Sequence, residues 1–184
     1  MNSEFEALRD VVARLESAGI AYMLTGSVAM SIYAEPRMTR DIDIVVELST
    51  NDERRVSELF APDYYVSEEA VRSAISERRM FNLFSLSHLV KVDLIVLRDD
   101  EFQRHEFARR ERCELGGTAA WVIGKEDLIL SKLVWAAPSE SAVQMRDVEK
   151  LLASGADEAY LDHWGARLGV DALLRRCKDA RHDP

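Results

Sequence analysis

Residues 23–46 read MLTGSVAMSIYAEPRMTRDIDIVV, and the last part of this segment sets two aspartates inside an apolar strand. Side chains alternate along a strand, so Asp41 and Asp43 lie on one face while Ile42 and Ile44 lie on the other. The apolar neighbours predict that both carboxylates are buried. Because an unpaired buried carboxylate is unfavourable, we expect a cation, a network of hydrogen-bond donors or a protonated state beside them.

A third aspartate occupies a similar strand further along the chain. Residues 91–97 read KVDLIVL, in which Asp93 is surrounded by apolar side chains. If the two strands are neighbours in a sheet, three carboxylates converge on one face, which is the arrangement that a two-metal site requires. Carboxylate oxygens are the ligands that Mg²⁺ prefers. The aspartates alone leave a second interpretation open, in which they lie on an exposed sheet face and are simply solvated.

A Gly-Ser pair ends the strand that precedes the two aspartates. Gly26 and Ser27 stand where the strand passes into a helix predicted for residues 27–34. Backbone N–H groups and a serine hydroxyl at a helix start can bind a phosphate, and a glycine lets the phosphate approach the backbone. The alternative is an ordinary turn in which Ser27 caps the helix.

Periodicity divides the chain into a mixed α/β part, residues 1–124, and a helical part, residues 125–184. The predicted fold class is therefore α/β (α+β), with a small mixed β-sheet, flanking helices and a C-terminal helical subdomain packed on the core. The predicted strands are residues 21–27 and 40–48, a hairpin of 80–88 with 89–97, and a strand pair around the turn at 116–117. The predicted C-terminal helices are residues 125–136, 140–153, 157–167 and 169–179.

The Gly-Ser pair, the Asp-x-Asp strand and the later aspartate together resemble the polymerase-β-like nucleotidyltransferase superfamily. Thirteen residues separate Ser27 from Asp41, which is a spacing typical of that superfamily. The preceding residues 37–40, RMTR, make the segment similar to the Arg-x-Thr-x-Asp-x-Asp form of a branch related to AbiEii abortive-infection toxins. The resemblance covers residues 20–97 well and the C-terminal helices more loosely.

This resemblance implies a role for each motif residue. Asp41 and Asp43 would bind both metal ions, and Asp93 would bind one of them and help to deprotonate the attacking hydroxyl. Gly26 and Ser27 would hold the phosphates of the nucleotide, and the cofactor would be Mg²⁺ or Mn²⁺. The remaining residues implied are Arg40 and Lys132 as nucleotide ligands and Arg37, Thr39 and Asp147 as supporting residues.

Two charged side chains fall on apolar helix faces in the C-terminal part. Lys132 lies four residues after Leu128, and Asp147 lies four residues after Val143 and four before Leu151. The two charges can simply pair with each other, in a pair that need not add stability. Alternatively, Lys132 faces the cleft and meets the triphosphate while Asp147 orients it. The AbiEii-like branch has a helical lysine followed by an Arg-Asp pair, which residues 146–147 resemble.

The composition limits the classes of partner. The 184 residues are 47% hydrophobic and 31% charged, which is typical of a globular protein. The formal net charge of −9 argues against nucleic-acid binding over the whole surface. Four arginines within residues 104–112 form either a solvated face or a local basic patch. Two cysteines, no leader and no apolar run near 20 residues favour the cytoplasm and argue against a membrane partner.

We therefore predict a metal-dependent nucleotidyltransferase that moves a nucleoside monophosphate from a nucleoside triphosphate to an acceptor hydroxyl, with release of pyrophosphate. The acceptor is a tRNA end, a protein or a small molecule. The AbiEii relation suggests the toxin of a toxin–antitoxin pair, with a cognate antitoxin as partner. Three alternatives stay open: a nucleotide-binding module without turnover, an antitoxin-like interaction protein, and a two-metal hydrolase.

Overall fold

The computed structural model describes residues 2–35 and 41–180 of the protein. Within these residues, seven strands form one mixed sheet in the order β3-β4-β5-β2-β1-β7-β6. The strands are β1 (Tyr22–Thr25), β2 (Asp41–Val46), β3 (Tyr64–Tyr65), β4 (Met80–Ser85), β5 (Lys91–Val96), β6 (Glu111–Leu115) and β7 (Thr118–Val122). The predicted α/β class is confirmed.

Helices flank this sheet and fill the C-terminal part. The helices before β6 are α1 (Asn2–Ser17), α2 (Gly26–Met30), α3 (Glu53–Phe60), α4 (Glu68–Glu77) and α5 (Glu101–Ala108). Those after β7 are α6 (Lys125–Ala136), α7 (Ala142–Ala153), α8 (Glu158–Leu168) and α9 (Asp171–Ala180). None of the described helices combines the length and the apolar composition that crossing a bilayer requires.

The order of the strands explains how distant motifs meet. Strands β4 and β5 form the predicted antiparallel hairpin, and β6 and β7 form the predicted pair around the two-glycine turn. Strand β2 pairs in parallel with β5 and antiparallel with β1, so it lies between them. The two Asp-bearing strands are therefore neighbours, as the three-carboxylate arrangement requires.

One sheet face is largely apolar and forms the main core. Ile42 and Ile44 of β2 and Leu94 of β5 are almost completely buried on this face, and α1 packs against β2 and β7. Burying a side chain of this size is worth about 1.5–3 kcal/mol, so this face supplies much of the drive for folding. The opposite face, with its polar residues, is free to carry a site.

The helix after β1 is shorter than predicted. Residues 27–34 were expected to be helical, but α2 ends at Met30, and the chain continues with i→i−3 bonds at Ser31, Ile32 and Tyr33. The Ser31 hydroxyl donates to the carbonyl of Val28 at 2.7 Å, which competes with regular helix geometry. The segment tightens into turns because β-branched and aromatic residues favour the helix little at this point.

Side-chain contacts tie the C-terminal helices to the sheet part. Ser131 of α6 donates to Glu106 of α5 at 2.7 Å. The buried carboxylate of Asp127 accepts from Arg109 Nε at 3.1 Å. The predicted division into residues 1–124 and 125–184 remains a prediction.

Candidate functional site

The polar sheet face is organised in rows of facing residues that run across neighbouring strands. In the central row, Thr25 of β1 faces Asp43, Asp43 faces Asp93 of β5, and Asp93 faces Asn82 of β4. Facing residues project from the same side of a sheet, so the carboxylates of Asp43 and Asp93 are direct neighbours. The row therefore joins two of the three predicted aspartates.

The third aspartate lies in the adjacent row, where Asp41 faces Lys91. The Asp41 side chain is 51% exposed, whereas Asp93 is buried and Asp43 is partly buried. The expectation that both residues of the Asp-x-Asp motif are buried is therefore wrong for Asp41. The reason is that β2 begins at Asp41, so this side chain lies at the strand end beside solvent.

The surroundings of Asp43 change its acidity. Burial is the main cause that raises the pKa of Asp43 from 3.8 to about 6, and the negative charges of Asp93 and Asp41 add to it. The positive charges of Lys132 and Lys91 act in the opposite direction. The cluster thus has a deficit of positive charge that its own lysines offset only in part.

Lys91 supplies one of these positive charges directly. Its Nζ lies 2.9 Å from Asp93 Oδ2 and 3.8 Å from Asp41 Oδ2, so the ammonium group lies between carboxylates on two strands. The hydrogen bond to Asp93 is the main cause that raises the pKa of Lys91. Asn82 Nδ2 donates a further hydrogen bond to Asp93. Asp93 is therefore held from both sides.

Gly26 allows Asp43 to approach the β1–α2 turn closely. Its backbone φ is +65°, in the left-handed region that favours glycine. A Cβ atom at this position would overlap the Asp43 carboxylate. Gly26 was expected to make room for phosphates. The structure gives a second reason for a glycine at this position, because the Asp43 side chain occupies the space that a Cβ would need. Ser27 is only 4% exposed, so its hydroxyl is largely shielded from solvent.

Lys132 and Asp147 meet as a buried ion pair between α6 and α7. Lys132 Nζ lies 2.7 Å from Asp147 Oδ2, and both side chains are 4% exposed. Lys132 also donates to Gln144 Oε1 at 3.2 Å. The pairing that the sequence left open is therefore present, and the same lysine is close enough to Asp43 to lower that group's pKa.

The predicted residues Arg37, Thr39 and Arg40 lie outside the described part of the chain. Their assigned roles remain predictions. Of the predicted site residues, Asp41, Asp43 and Asp93 lie close together on the sheet, and Gly26 lies against Asp43.

No protein-family model matches the chain, and no curated protein matches it at a significant level. Solved structures do match. A nucleotidyltransferase-like protein from Paracoccidioides brasiliensis has a TM-score of 0.55 at 16% identity, over 94% of this chain and 92% of that one. The chain has a nucleotidyltransferase fold.

Two antibiotic-modifying enzymes share this nucleotidyltransferase fold. The lincosamide adenylyltransferase LnuA, solved with lincomycin, has a TM-score of 0.56 at 15% identity, over 84% of this chain and 98% of LnuA. ANT(2″)-Ia, solved with adenylyl-2″-tobramycin, has a TM-score of 0.53 at 13% identity, over 98% of this chain and 99% of that one. At such identities the likeness establishes the fold.

The cluster in this nucleotidyltransferase fold has the donor chemistry of a magnesium site. Three hard carboxylate oxygens face one side, the pKa of Asp43 is raised partly by neighbouring negative charge, and an ammonium already lies among them. Within residues 2–35 and 41–180, no three acidic, histidine or cysteine side chains are grouped tightly enough to hold an ion. The carboxylate donors fit the metal chemically, while Lys91 Nζ lies beside two of them, Asp93 and Asp41.

A cleft of about 600 Å³ lies on the same face, one row of residues beyond the carboxylates. Val45 and Ile95, which face each other in the row after Asp43 and Asp93, line it together with Trp135 of α6. The Trp135 side chain is 63% exposed. An aromatic wall beside the cluster suits a ligand with a ring.

A buried acid also lines the cleft. Glu106 is 4% exposed and accepts the hydrogen bond from Ser131. Burial raises its pKa to about 8, so at neutral pH the side chain is mostly protonated. A protonated carboxyl can both donate and accept a hydrogen bond, which makes Glu106 a candidate for reading a polar ligand group.

The arginines of residues 104–112 are engaged by protein groups. Arg104 pairs with Glu47 and Asp99, Arg109 pairs with Asp127, Arg112 pairs with Glu16, and Arg110 lies over the rings of Phe107 and Trp121. Of the two interpretations left open by the sequence, this pattern favours the solvated face over the local basic patch.

Sequence reasoning missed Lys91, Asn82 and Glu106. A signal existed for Lys91, because it stands two residues before Asp93 and therefore shares its strand face. Glu106 follows Phe102 by four residues and precedes Phe107, so helical periodicity places it on the buried stripe of α5. Asn82 had no local signal, since only the register of β4 against β5 brings it to Asp93.

Proposed function

We propose that the protein is a metal-dependent nucleotidyltransferase that transfers a nucleoside monophosphate from a nucleoside triphosphate to an acceptor hydroxyl. One observation carries the proposal: Asp41, Asp43 and Asp93 converge on one sheet face, beside the Gly26 turn, in a nucleotidyltransferase fold. Because phosphoryl transfer depends mainly on positioning and charge neutralisation, such a cluster is the machinery that the reaction needs.

In this proposal Asp41, Asp43 and Asp93 hold Mg²⁺ or Mn²⁺. The bound metal would neutralise the phosphates and stabilise charge on the leaving oxygen. Asp93, which accepts a hydrogen bond from Asn82, would accept the proton of the acceptor hydroxyl. Lys132, held by its buried partner, provides permanent positive charge on the Asp43 side of the cluster.

The resemblance adds further roles to the proposal. Gly26 and Ser27 hold the phosphates of the nucleotide, and Arg40 contacts it. Arg37 and Thr39 support the Asp-x-Asp strand, and Asp147 orients Lys132.

We infer that the acceptor is a small molecule that carries a hydroxyl group. The cleft of about 600 Å³ beside the cluster suits a ligand of that size. A net charge of −9 and paired arginines argue against a long nucleic-acid track. The fold neighbours solved with lincomycin and with adenylylated tobramycin support the same class. The toxin role, the antitoxin partner and the cytoplasmic location remain predictions.

A label-transfer assay tests the function. The purified protein is incubated with each nucleoside triphosphate labelled at its α-phosphate, with Mg²⁺ or Mn²⁺. Acceptors are the RNA, protein and small-molecule fractions of a lysate, together with lincomycin and tobramycin. We expect label in the small-molecule arm, because the cleft is built for that size.

Matched variants separate the site from the rest of the surface. Asp43→Asn and Asp93→Asn should abolish transfer, whereas Asp162→Asn, which neutralises an exposed acid on α8, should leave it unchanged. Label in the RNA or protein fraction would replace the small-molecule acceptor. Metal-dependent nucleotide binding without transfer to any fraction would favour the binding module, and release of nucleotide products with water alone would favour the hydrolase. No nucleotide binding at all would refute the site.

A further inference from the structure

An ammonium group lies between two of the three carboxylates of the cluster. Lys91 is the first residue of β5, and its Nζ lies 2.9 Å from Asp93 Oδ2 and 3.8 Å from Asp41 Oδ2. These oxygens belong to two of the three proposed metal ligands and lie on adjacent strands. Lys91 therefore joins the carboxylates that a metal would otherwise join.

The surroundings of Lys91 permit it to leave. Its side chain is 40% exposed, while the Asp93 side chain beside it is only 8% exposed. A lysine has a flexible four-carbon stem and a strongly hydrated head, so it can move to solvent without disturbing the core. Asp93 would keep the hydrogen bond from Asn82 after this movement. The carboxylate would then stay ordered and have a free oxygen for a metal.

We propose that Lys91 is the resident counter-ion of the carboxylate cluster and that a divalent metal ion displaces it. Because Lys91 must move away, its presence lowers the affinity of the cluster for the metal. This inference rests on the proposed function, in which the three aspartates bind the metal. The physical reason is that an ammonium and a divalent cation repel strongly when they share one carboxylate oxygen. Metal binding therefore includes the work of moving Lys91 away, and in the metal-free protein Lys91 lowers the mutual repulsion of the carboxylates.

The test is Mn²⁺ binding by the full-length protein, measured by calorimetry and by the electron-paramagnetic-resonance signal of free Mn²⁺. Lys91→Gln removes the charge but keeps a polar side chain, and Lys91→Arg keeps the charge. Lys150→Gln, on the exposed surface of α7, makes the same change of net charge away from the cluster. We expect Lys91→Gln to bind Mn²⁺ about tenfold more tightly than the wild type. Lys91→Arg and Lys150→Gln should bind it at most slightly differently.

Thermal melting distinguishes this role from a merely structural one. In chelator, Lys91→Gln should melt at a lower temperature than the wild type, and added Mn²⁺ should raise its melting temperature by more. If Lys91 only stabilised the fold, the melting temperature would fall while the affinity for Mn²⁺ stayed unchanged or weakened. An affinity of Lys91→Gln for Mn²⁺ that is unchanged or weaker than that of the wild type overturns the inference.

The same measurements separate failure of the inference from failure of the proposed function. If the wild type binds Mn²⁺, Asp43→Asn abolishes binding and Lys91→Gln leaves it unchanged, then only the role of Lys91 is refuted. If neither the wild type nor Lys91→Gln binds Mn²⁺, the metal site itself is refuted, and the displacement of Lys91 is refuted with it.

Discussion

The raised pKa of Asp43 predicts that the proposed site weakens the metal-free fold. Burial and neighbouring carboxylates raise this pKa from 3.8 to about 6. Because one pKa unit corresponds to about 1.4 kcal/mol, ionised Asp43 lowers the free energy of unfolding at pH 7 by about 3 kcal/mol. Asp43→Asn removes the charge with little change of shape, so it should stabilise the metal-free protein by up to this amount.

The sign of the effect fixes its pH dependence. An acid whose pKa is raised in the folded state contributes stability that is fully present below its unfolded pKa and is lost as the pH rises through the folded pKa. The wild type should therefore lose about 3 kcal/mol relative to Asp43→Asn between pH 3 and pH 7. Near pH 3 the Asp43 carboxyl is mostly neutral in both the folded and the unfolded state, and the two proteins should be almost equally stable.

Urea unfolding followed by tryptophan fluorescence, in chelator and at several pH values, measures this difference. Titrations of other groups cancel when the variant is compared with the wild type at the same pH. Asp162→Asn is the matched control, because its side chain is 67% exposed and its charge is not among those that raise the pKa of Asp43. A difference between Asp43→Asn and the wild type that does not grow from pH 3 to pH 7 would refute the electrostatic argument. Saturating Mg²⁺ should close the gap by stabilising the wild type alone.

Two further predictions concern the glycine turn and the buried ion pair. Gly26→Ala introduces a Cβ at a φ of +65° and against the Asp43 carboxylate, so it should lower the free energy of unfolding, measured in urea, by about 3 kcal/mol or more. The control Gly155→Ala, at a φ of +81° with open space around it, should lower it by only about 1 kcal/mol. Equal losses would show that the carboxylate moves aside freely. Lys132→Met should cost about 3–5 kcal/mol because it removes the buried cation that pairs with the buried carboxylate of Asp147, and Lys132→Met with Asp147→Leu should recover most of this loss. Additive losses in that double variant would mean that the pair is not coupled.

The local elements of the fold were predictable because each carries its own periodic signal. The helix that begins after Ser67 is an example, since the Ser67 hydroxyl caps it by accepting from the backbone N–H of Ala70. The β4–β5 hairpin and the C-terminal helices likewise followed from alternation and helical stripes. Boundaries were less accurate, as the early end of α2 shows, because turns with i→i−3 bonds and helices share the same residues.

The meeting of the aspartates was not predictable from local pattern alone. Asp43 and Asp93 are fifty positions apart, and only the parallel register of β2 on β5 places them opposite each other. The sequence shows which residues are aspartates, and only the resemblance to nucleotidyltransferases implied that the three of them bind metal together. The counter-ions were harder to foresee, because which lysine neutralises a carboxylate depends on how strands and helices pack.

The two lysines near the cluster differ in a way that assigns them separate tasks. Lys132 is buried and bound to a buried carboxylate, so moving it would separate two buried opposite charges, and its position is fixed. Lys91 is partly exposed and can exchange its carboxylate partners for water. An arriving dication would therefore displace Lys91 and leave Lys132 in place. This exchange replaces the single positive charge of Lys91 by the two positive charges of the metal ion among the three aspartates. The positive charge of Lys132 on the Asp43 side then remains available to a triphosphate.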